Sequence, residues 1–236
     1  MTRLNILSTK KLQPLIVSAV PAHMELIQED YIDIRPLQND DSDRQMQQLI
    51  ASGVHTIALT SSHGAEAFAA YASKHPASAA SCSIYCLSGN TRTALQTAGL
   101  ANEVRATAGN AHDLANRIME DGIKELLFFC GNLRRPELPQ ALSAAGVTVH
   151  ELVVYETLLT PVAAPTDVQA VLFFSPSAVE SFFSLNQLNH DAVCFAIGNT
   201  TADSIAGFTN HKIVVSSKPA QEAMLQAVLS YFEHIN

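Results

Sequence analysis

Seven short polar turns hold most of the side chains that could do chemistry: STKK (8–11), TSSHG (60–64), SGNTRT (88–93), CGNLRR (130–135), SPS (175–177), IGNTT (197–201) and SSKPAQ (216–221). Each follows a short apolar run. Ser, Thr, Asn and Gly at such places cap the next helix and expose backbone N–H groups at the positive end of its dipole. Turns of this kind bind carboxylate or phosphate without much lysine. Six of the 14 Lys and Arg residues also fall in them: Lys10, Lys11, Arg92, Arg134, Arg135 and Lys218. In a chain of net charge −8 this placement points to a small ligand with several negative charges. The plainer reading, helix caps plus solvated charge, suffices for any one turn. The candidate binding residues are Lys10, Ser61, Ser62, Asn90, Thr91, Arg92, Thr93, Gly131, Asn132, Ser175, Pro176, Ser177, Gly198, Asn199, Thr200, Thr201 and Lys218. Outside the turns, Tyr155 is the one candidate proton donor, because a phenol is protonated at neutral pH. On sequence pattern alone the plainer reading, a β-prone aromatic packing in a linker strand, is the favoured one.

Other chemistries find little support. Nine histidines are scattered, with no His-Glu-x-x-His and no close Cys/His quartet, so no metal is expected. Cys82, Cys86, Cys130 and Cys194 read as small core residues, not as a disulfide framework. The Walker A loop, Gly-x-Gly-x-x-Gly and Gly-x-Ser-x-Gly are all missing, which disfavours nucleotide cofactors and a serine hydrolase. An acidic chain with pI near 5.5 is a poor nucleic-acid binder. No apolar run approaches the ~20 residues of a membrane helix, and no secretory h-region is visible, so a cytoplasmic monomer is expected.

The elements that must position these residues alternate along all 236 positions. Runs such as VHTIALT (54–60), LLFFC (126–130), AVLFFS (170–175) and AVCFAIG (192–198) read as buried parallel strands. Helical patterns such as HGAEAFAAYASKH (63–75) lie between them. This alternation predicts an α/β fold with parallel sheets, whose ligands bind at the carboxyl ends of the strands. Two long extended segments, EDYIDIRPL (29–37) and HELVVYETLLTP (150–161), read as connectors. They imply a discontinuous first domain, 1–30 plus 160–236, a second domain, 38–150, and linker strands at 31–37 and 151–159. The two halves also look related. LTSSHGAEAF (59–68) matches FFSPSAVESF (173–182), and SGNTRTAL (88–95) matches IGNTTADSI (197–205). His112 lies 23 residues after Gly89, and Gln221 lies 23 after Gly198, each opening a helical stretch. The pattern indicates an internal duplication.

The ordered set FFCGNLRRPELPQAL (128–142), VVYET (153–157), FFSPSAVESF (173–182) and AIGNTTA (196–202) resembles the uroporphyrinogen-III synthase family. The resemblance implies two flavodoxin-like α/β domains joined by a two-stranded linker, with the active site in the cleft between them. It implies that linear hydroxymethylbilane, a polycarboxylate, loses water and closes with inversion of its last pyrrole, giving uroporphyrinogen III without metal or organic cofactor. A hand-over of substrate from hydroxymethylbilane synthase is implied as well. The family's tyrosine falls on Tyr155, thought to help the hydroxyl leave; its turn serines fall on Ser61 and Ser175, and its threonines on Thr200 and Thr201. Two turns depart from the family pattern: Gly89-Asn90-Thr91-Arg92-Thr93, with arginine where a threonine hydroxyl is often found, and Ser8-Thr9-Lys10-Lys11, where arginine and proline are usual. A non-catalytic binder of a polycarboxylate or tetrapyrrole is the remaining alternative.

Overall fold

The structure is a computed structural model that describes residues 3–37 and 40–233. In chain order the elements are β1 (Leu4–Ser8), α1 (Pro14–Ser18), β2 (Met24–Gln28), β3 (Ile32–Pro36), α2 (Asp40–Ala51), β4 (Thr56–Leu59), α3 (Ser62–Lys74), α4 (Pro76–Ala79), β5 (Ser83–Leu87), α5 (Asn90–Thr97) and β6 (Val104–Ala108). They continue with α6 (Ala111–Glu120), β7 (Glu125–Gly131), α7 (Glu137–Ala144), β8 (Thr148–Leu159), β9 (Ala170–Phe173), α8 (Pro176–Phe183), β10 (Val193–Ala196), α9 (Asn199–Ala206), β11 (Ile213–Val215) and α10 (Gln221–Glu233). The α/β alternation expected from the sequence is present. Strands β4, β9 and β10 are buried at every position, as continuous apolar runs require when helices cover both faces of a parallel sheet.

The chain divides into two compact units, Met1–Asp33 with Leu158–Asn236, and Ile34–Thr157. The first holds a five-stranded sheet of order β11-β10-β9-β1-β2, every pair parallel. Leu7, Val171, Phe173 and Phe182 pack on one face of it, and Ile6, Leu172, Phe195, Met224 and Val228 on the other. The second unit holds a six-stranded sheet of order β3-β8-β7-β4-β5-β6, parallel from β8 to β6. Alternation along β7 fills both of its cores. Leu127 and Phe129 join Phe68 of α3 on one side, while Leu126, Phe128 and Cys130 join Leu114 and Ile118 of α6 on the other. Each buried Phe or Leu of this kind contributes roughly 1.5–3 kcal/mol. The extended segment 31–37 contains β3, which ends at Pro36 on a sheet edge, where a missing N–H costs no ladder bond. The extended segment 151–159 lies within β8, which pairs with β7 from Thr148 to Tyr155.

The two sheets share one order. Reading β9, β10, β11, β1, β2 against β4, β5, β6, β7, β8 makes them superimposable lists, with the chain of the first unit entered at a different strand. The repeat in the sequence follows the same correspondence, since the turns after β4 and β9, and after β5 and β10, are the ones that match. Chain order reverses between β7 and β4 in the second unit, and between β1 and β9 in the first. In open parallel sheets this reversal opens a crevice at the carboxyl edge, the usual place for a ligand. The two glycine turns are not conformational copies, however. Gly89 caps α5 at φ 76° and ψ −134°, a region closed to side-chain-bearing residues, whereas Gly198 caps α9 in an extended conformation open to any residue.

Candidate active site

Tyr155 meets Ser61 at the reversal point of the second unit. Ser61 follows β4 and caps α3, its Oγ accepting from the backbone N–H of Gly64 at 3.0 Å. The Tyr155 hydroxyl donates to the same Oγ at 3.1 Å. Ser61 therefore accepts two bonds and keeps its own proton to donate elsewhere. Between the two side chains lies the end of β7, and there the sequence has Gly131. A Cβ built on Gly131 would stand 2.4 Å from Tyr155 Cε2 and 2.5 Å from Cζ. The ring thus rests on bare backbone, and only glycine permits its reach towards β4.

A bulge aims the tyrosine. Cys130 pairs with Val153 but Gly131 pairs with Tyr155, so β8 carries one extra residue at this point. Bulges beside functional sites re-aim side chains in this way. Val154 is buried in the same core that Tyr155 packs against, although strict alternation would send the two to opposite faces. Asn132 then locks the strand. Its N–H donates to the Tyr155 carbonyl at 3.2 Å, its Oδ1 accepts from Thr157 N at 2.7 Å, and its Nδ2 donates to Thr157 O at 3.3 Å. The side chain replaces a rung of the ladder on the far side of the bulge. Asn132, expected from the sequence as a binding residue, spends its polar atoms on β8.

The remaining candidates divide by unit. In the second, Ser62, Asn90 and Thr93 line one open groove between α3 and α5. Thr93 turns its Oγ1 back to the Gly89 carbonyl at 3.1 Å. Thr91 is buried, with 4% of its surface exposed. In the first unit Ser175 caps α8, accepting from Ala178 N at 3.1 Å, with Pro176 and Ser177 opening the helix. Lys10, in the turn after β1, holds its ammonium 5.5 Å from the centre of the Phe174 ring beside that cap. Thr201 is buried like Thr91, while Asn199 and Thr200 open α9 after Gly198. Lys218 mirrors Lys10. The Ser8 hydroxyl donates to the Lys10 carbonyl at 2.6 Å, and the Ser216 hydroxyl to the Lys218 carbonyl at 2.7 Å.

The cations are not equivalent. Arg134 is paired with Glu151, and Lys11 lies 3.6 Å from Asp30. Among the described residues Lys10, Arg92 and Lys218 make no ion pair, which leaves them available to an anion. Burial pushes the thiols of Cys130 up to about 11 and of Cys194 up to about 12, so neither supplies a thiolate at neutral pH. One neighbour of Tyr155 stands in the TSSHG turn yet is not among the candidate residues read from the sequence. His63, on the first turn of α3, holds its ring centre 5.4 Å from that of Tyr155. Its spacing of three from Glu66 on a helix was the available signal, since such residues share a face. Among the described residues no helix is long and apolar enough to cross a membrane.

Comparison with known proteins agrees with this architecture. Uroporphyrinogen III synthase of the extremely thermophilic bacterium Thermus thermophilus, in a triple-mutant crystal form, superposes with a TM-score of 0.72 at 16% identity, covering 98% of this chain and 99% of that one. The Helicobacter pylori 26695 enzyme gives 0.65 at 17% identity, covering 97% and 99%. The wild-type Thermus enzyme in a second crystal form gives 0.58 at 17%, covering 99% and 100%. At such identities these likenesses establish the fold. No curated protein sequence matches significantly. The profile of uroporphyrinogen-III synthase HemD matches residues 24–226, most of the chain, and the chain belongs to the uroporphyrinogen-III synthase family.

Proposed function

We propose that this chain closes linear hydroxymethylbilane to uroporphyrinogen III, with Tyr155 assisting departure of the hydroxyl as water. The observation that carries the assignment is the Tyr155–Ser61 pair at the strand reversal, seated on Gly131. Without substrate the phenol donates to Ser61 Oγ. With substrate it exchanges that acceptor for the departing hydroxyl, an acid assistance of ~10²–10⁴ in rate. Ser61 stays fixed by Gly64 N–H, so the exchange needs no rebuilding of the turn.

The acetate and propionate arms of the substrate are bound by the turns. Lys10, Arg92 and Lys218 supply charge. The first-turn N–H groups of α3, α5, α8 and α9 supply directed donors, and the side chains of Ser62, Asn90, Thr93, Ser175, Ser177, Asn199 and Thr200 add polar contacts. Holding the chain of pyrroles in a ring-competent shape contributes several kcal/mol through proximity alone. Positioning outweighs acid assistance, because a hydroxyl on an electron-rich pyrrole leaves readily. In this reading the substrate comes from hydroxymethylbilane synthase in the cytoplasm, and the protein works as a monomer.

The test is a coupled assay. Hydroxymethylbilane is generated enzymatically, the protein is added, and oxidised isomers I and III are separated. Spontaneous closure gives isomer I. Catalytic formation of isomer III is expected. Isomer I alone from folded protein would reject the reading in favour of a non-catalytic binder.

A further inference from the structure

We infer that His63, held by Glu66, is the base that removes the last proton in ring closure. The inference rests on the cyclisation reading above. His63 is the second residue of α3, two positions after Ser61, and its side chain is 41% exposed. Its Nδ1 lies 3.2 Å from Glu66 Oε2. Its ring is tilted 56° to that of Tyr155 at a centre distance of 5.4 Å. His63, Glu66 and Tyr155 line one pocket together with Ile34, Pro36 and Val154.

The geometry sets the proton positions. An N–H on Nδ1 donates to the Glu66 carboxylate, which leaves the lone pair on Nε2. Among the described residues Nε2 makes no hydrogen bond. A carboxylate-held imidazole with one free nitrogen, beside a phenol that gives up a proton, forms an acid–base pair.

Loss of water needs both. The C–O bond breaks with its electron pair going to oxygen, and the Tyr155 proton completes the water, leaving a phenolate and a cationic azafulvene. The terminal pyrrole first attacks the azafulvene carbon through its substituted α-carbon, giving a spiro intermediate. The bond from that α-carbon to the preceding methylene then breaks, its electron pair restoring the terminal pyrrole and leaving the azafulvene on the third pyrrole. The inverted terminal pyrrole then supplies, from its free α-carbon, the electron pair of the ring-closing C–C bond to that methylene. Its free α-carbon becomes tetrahedral and carries one hydrogen too many. His63 Nε2 takes that hydrogen as a proton, and the C–H electrons restore the aromatic pyrrole. The imidazolium then returns a proton to the Tyr155 phenolate. One water leaves and both side chains are restored, so no further reactant is needed.

The experiment follows the isomer assay with substrate carrying deuterium at the free α-carbon of its terminal pyrrole. His63→Gln should lower kcat roughly 10²-fold, the low end for general base catalysis, with KM held within about twofold. A primary isotope effect absent from the wild type should appear, since proton loss becomes rate-limiting. Added imidazole should restore part of the rate to His63→Ala, and Glu66→Gln should show a smaller loss of the same kind. A merely structural pair would produce neither the isotope effect nor the rescue. The assignment is overturned if His63→Gln keeps the wild-type kcat. It is equally overturned by a slow variant with no isotope effect and no response to imidazole. A wild type that makes no isomer III is a different result: it removes the cyclisation reading itself, before any variant is made.

Discussion

The Tyr155 ring lies against the α-carbon of Gly131, so closely that a methyl group there would sit 2.4 Å from Cε2, 2.5 Å from Cζ and 3.0 Å from Cδ2. All three atoms belong to one rigid ring, which must swing as a whole. Gly131→Ala should therefore move the hydroxyl off Ser61. Overpacking of this kind costs ~1–3 kcal/mol, and kcat should fall by about the factor lost in Tyr155→Phe. The double variant distinguishes the causes. If Gly131 acts through the tyrosine, adding Gly131→Ala to Tyr155→Phe should lower the rate little further, while full additivity would place the glycine's effect elsewhere.

Tyr155→Phe should slow formation of isomer III by ~10² or more yet leave measurable turnover, because the binding turns are untouched. Ser61→Ala removes the acceptor of the phenol and the cap of α3 together. Its loss of stability should match that of Ser175→Ala, which removes the equivalent cap of α8, at about 1 kcal/mol each. Urea melts of the two variants test the caps, and kcat tests the tyrosine. A Tyr155→Phe protein with the full wild-type rate would end the acid role.

Asn132 separates positioning from binding. Its side chain makes two bonds to Thr157, and truncation to Ala leaves a part-buried N–H and carbonyl without them, at about 1–3 kcal/mol. Because those bonds anchor β8 just past the bulge, kcat should fall while KM stays near its wild-type value. A raised KM with unchanged kcat would instead make Asn132 a substrate contact, as its place in a polar turn suggests.

What the sequence disclosed follows from the range of each interaction. The caps at Ser61 and Ser175 are local, fixed by a strand, a serine and a helix, and could be read directly. The parallel sheets could be read because apolar runs such as those of β4 and β9 are buried on both faces. The Tyr155–Ser61 bond joins residues 94 apart and depends on the strand order that sets β8 beside β7 and β7 beside β4. The bulge is subtler. It inserts one residue into a strand whose pattern otherwise alternates, and nothing in VVYET marks where. Gly131 and Asn132 were visible as a polar turn, but their work on β8 was not. Thr91 and Thr201 show the opposite limit: a threonine after a glycine turn looks like a ligand contact until the helix turns it into the core.

Tyr31 gives a prediction independent of the active site. It is fully buried, its ring 5.4 Å from that of Phe182, and among the described residues its hydroxyl has no partner. An unsatisfied buried hydroxyl costs about 1–3 kcal/mol, so Tyr31→Phe should leave stability unchanged or raise it. The same burial, with a smaller push from Glu29, holds the phenol's pKa at about 12 against 10.0 for an unperturbed group. The folded protein therefore keeps this proton where the unfolded chain has lost it. Stability from this group is complete below pH 10 and declines as pH rises from 10 to about 12. Denaturant melts between neutrality and pH 11 should show a steeper alkaline loss for the wild type than for Tyr31→Phe. Identical alkaline slopes would mean that the Tyr31 hydroxyl is not held in the apolar core.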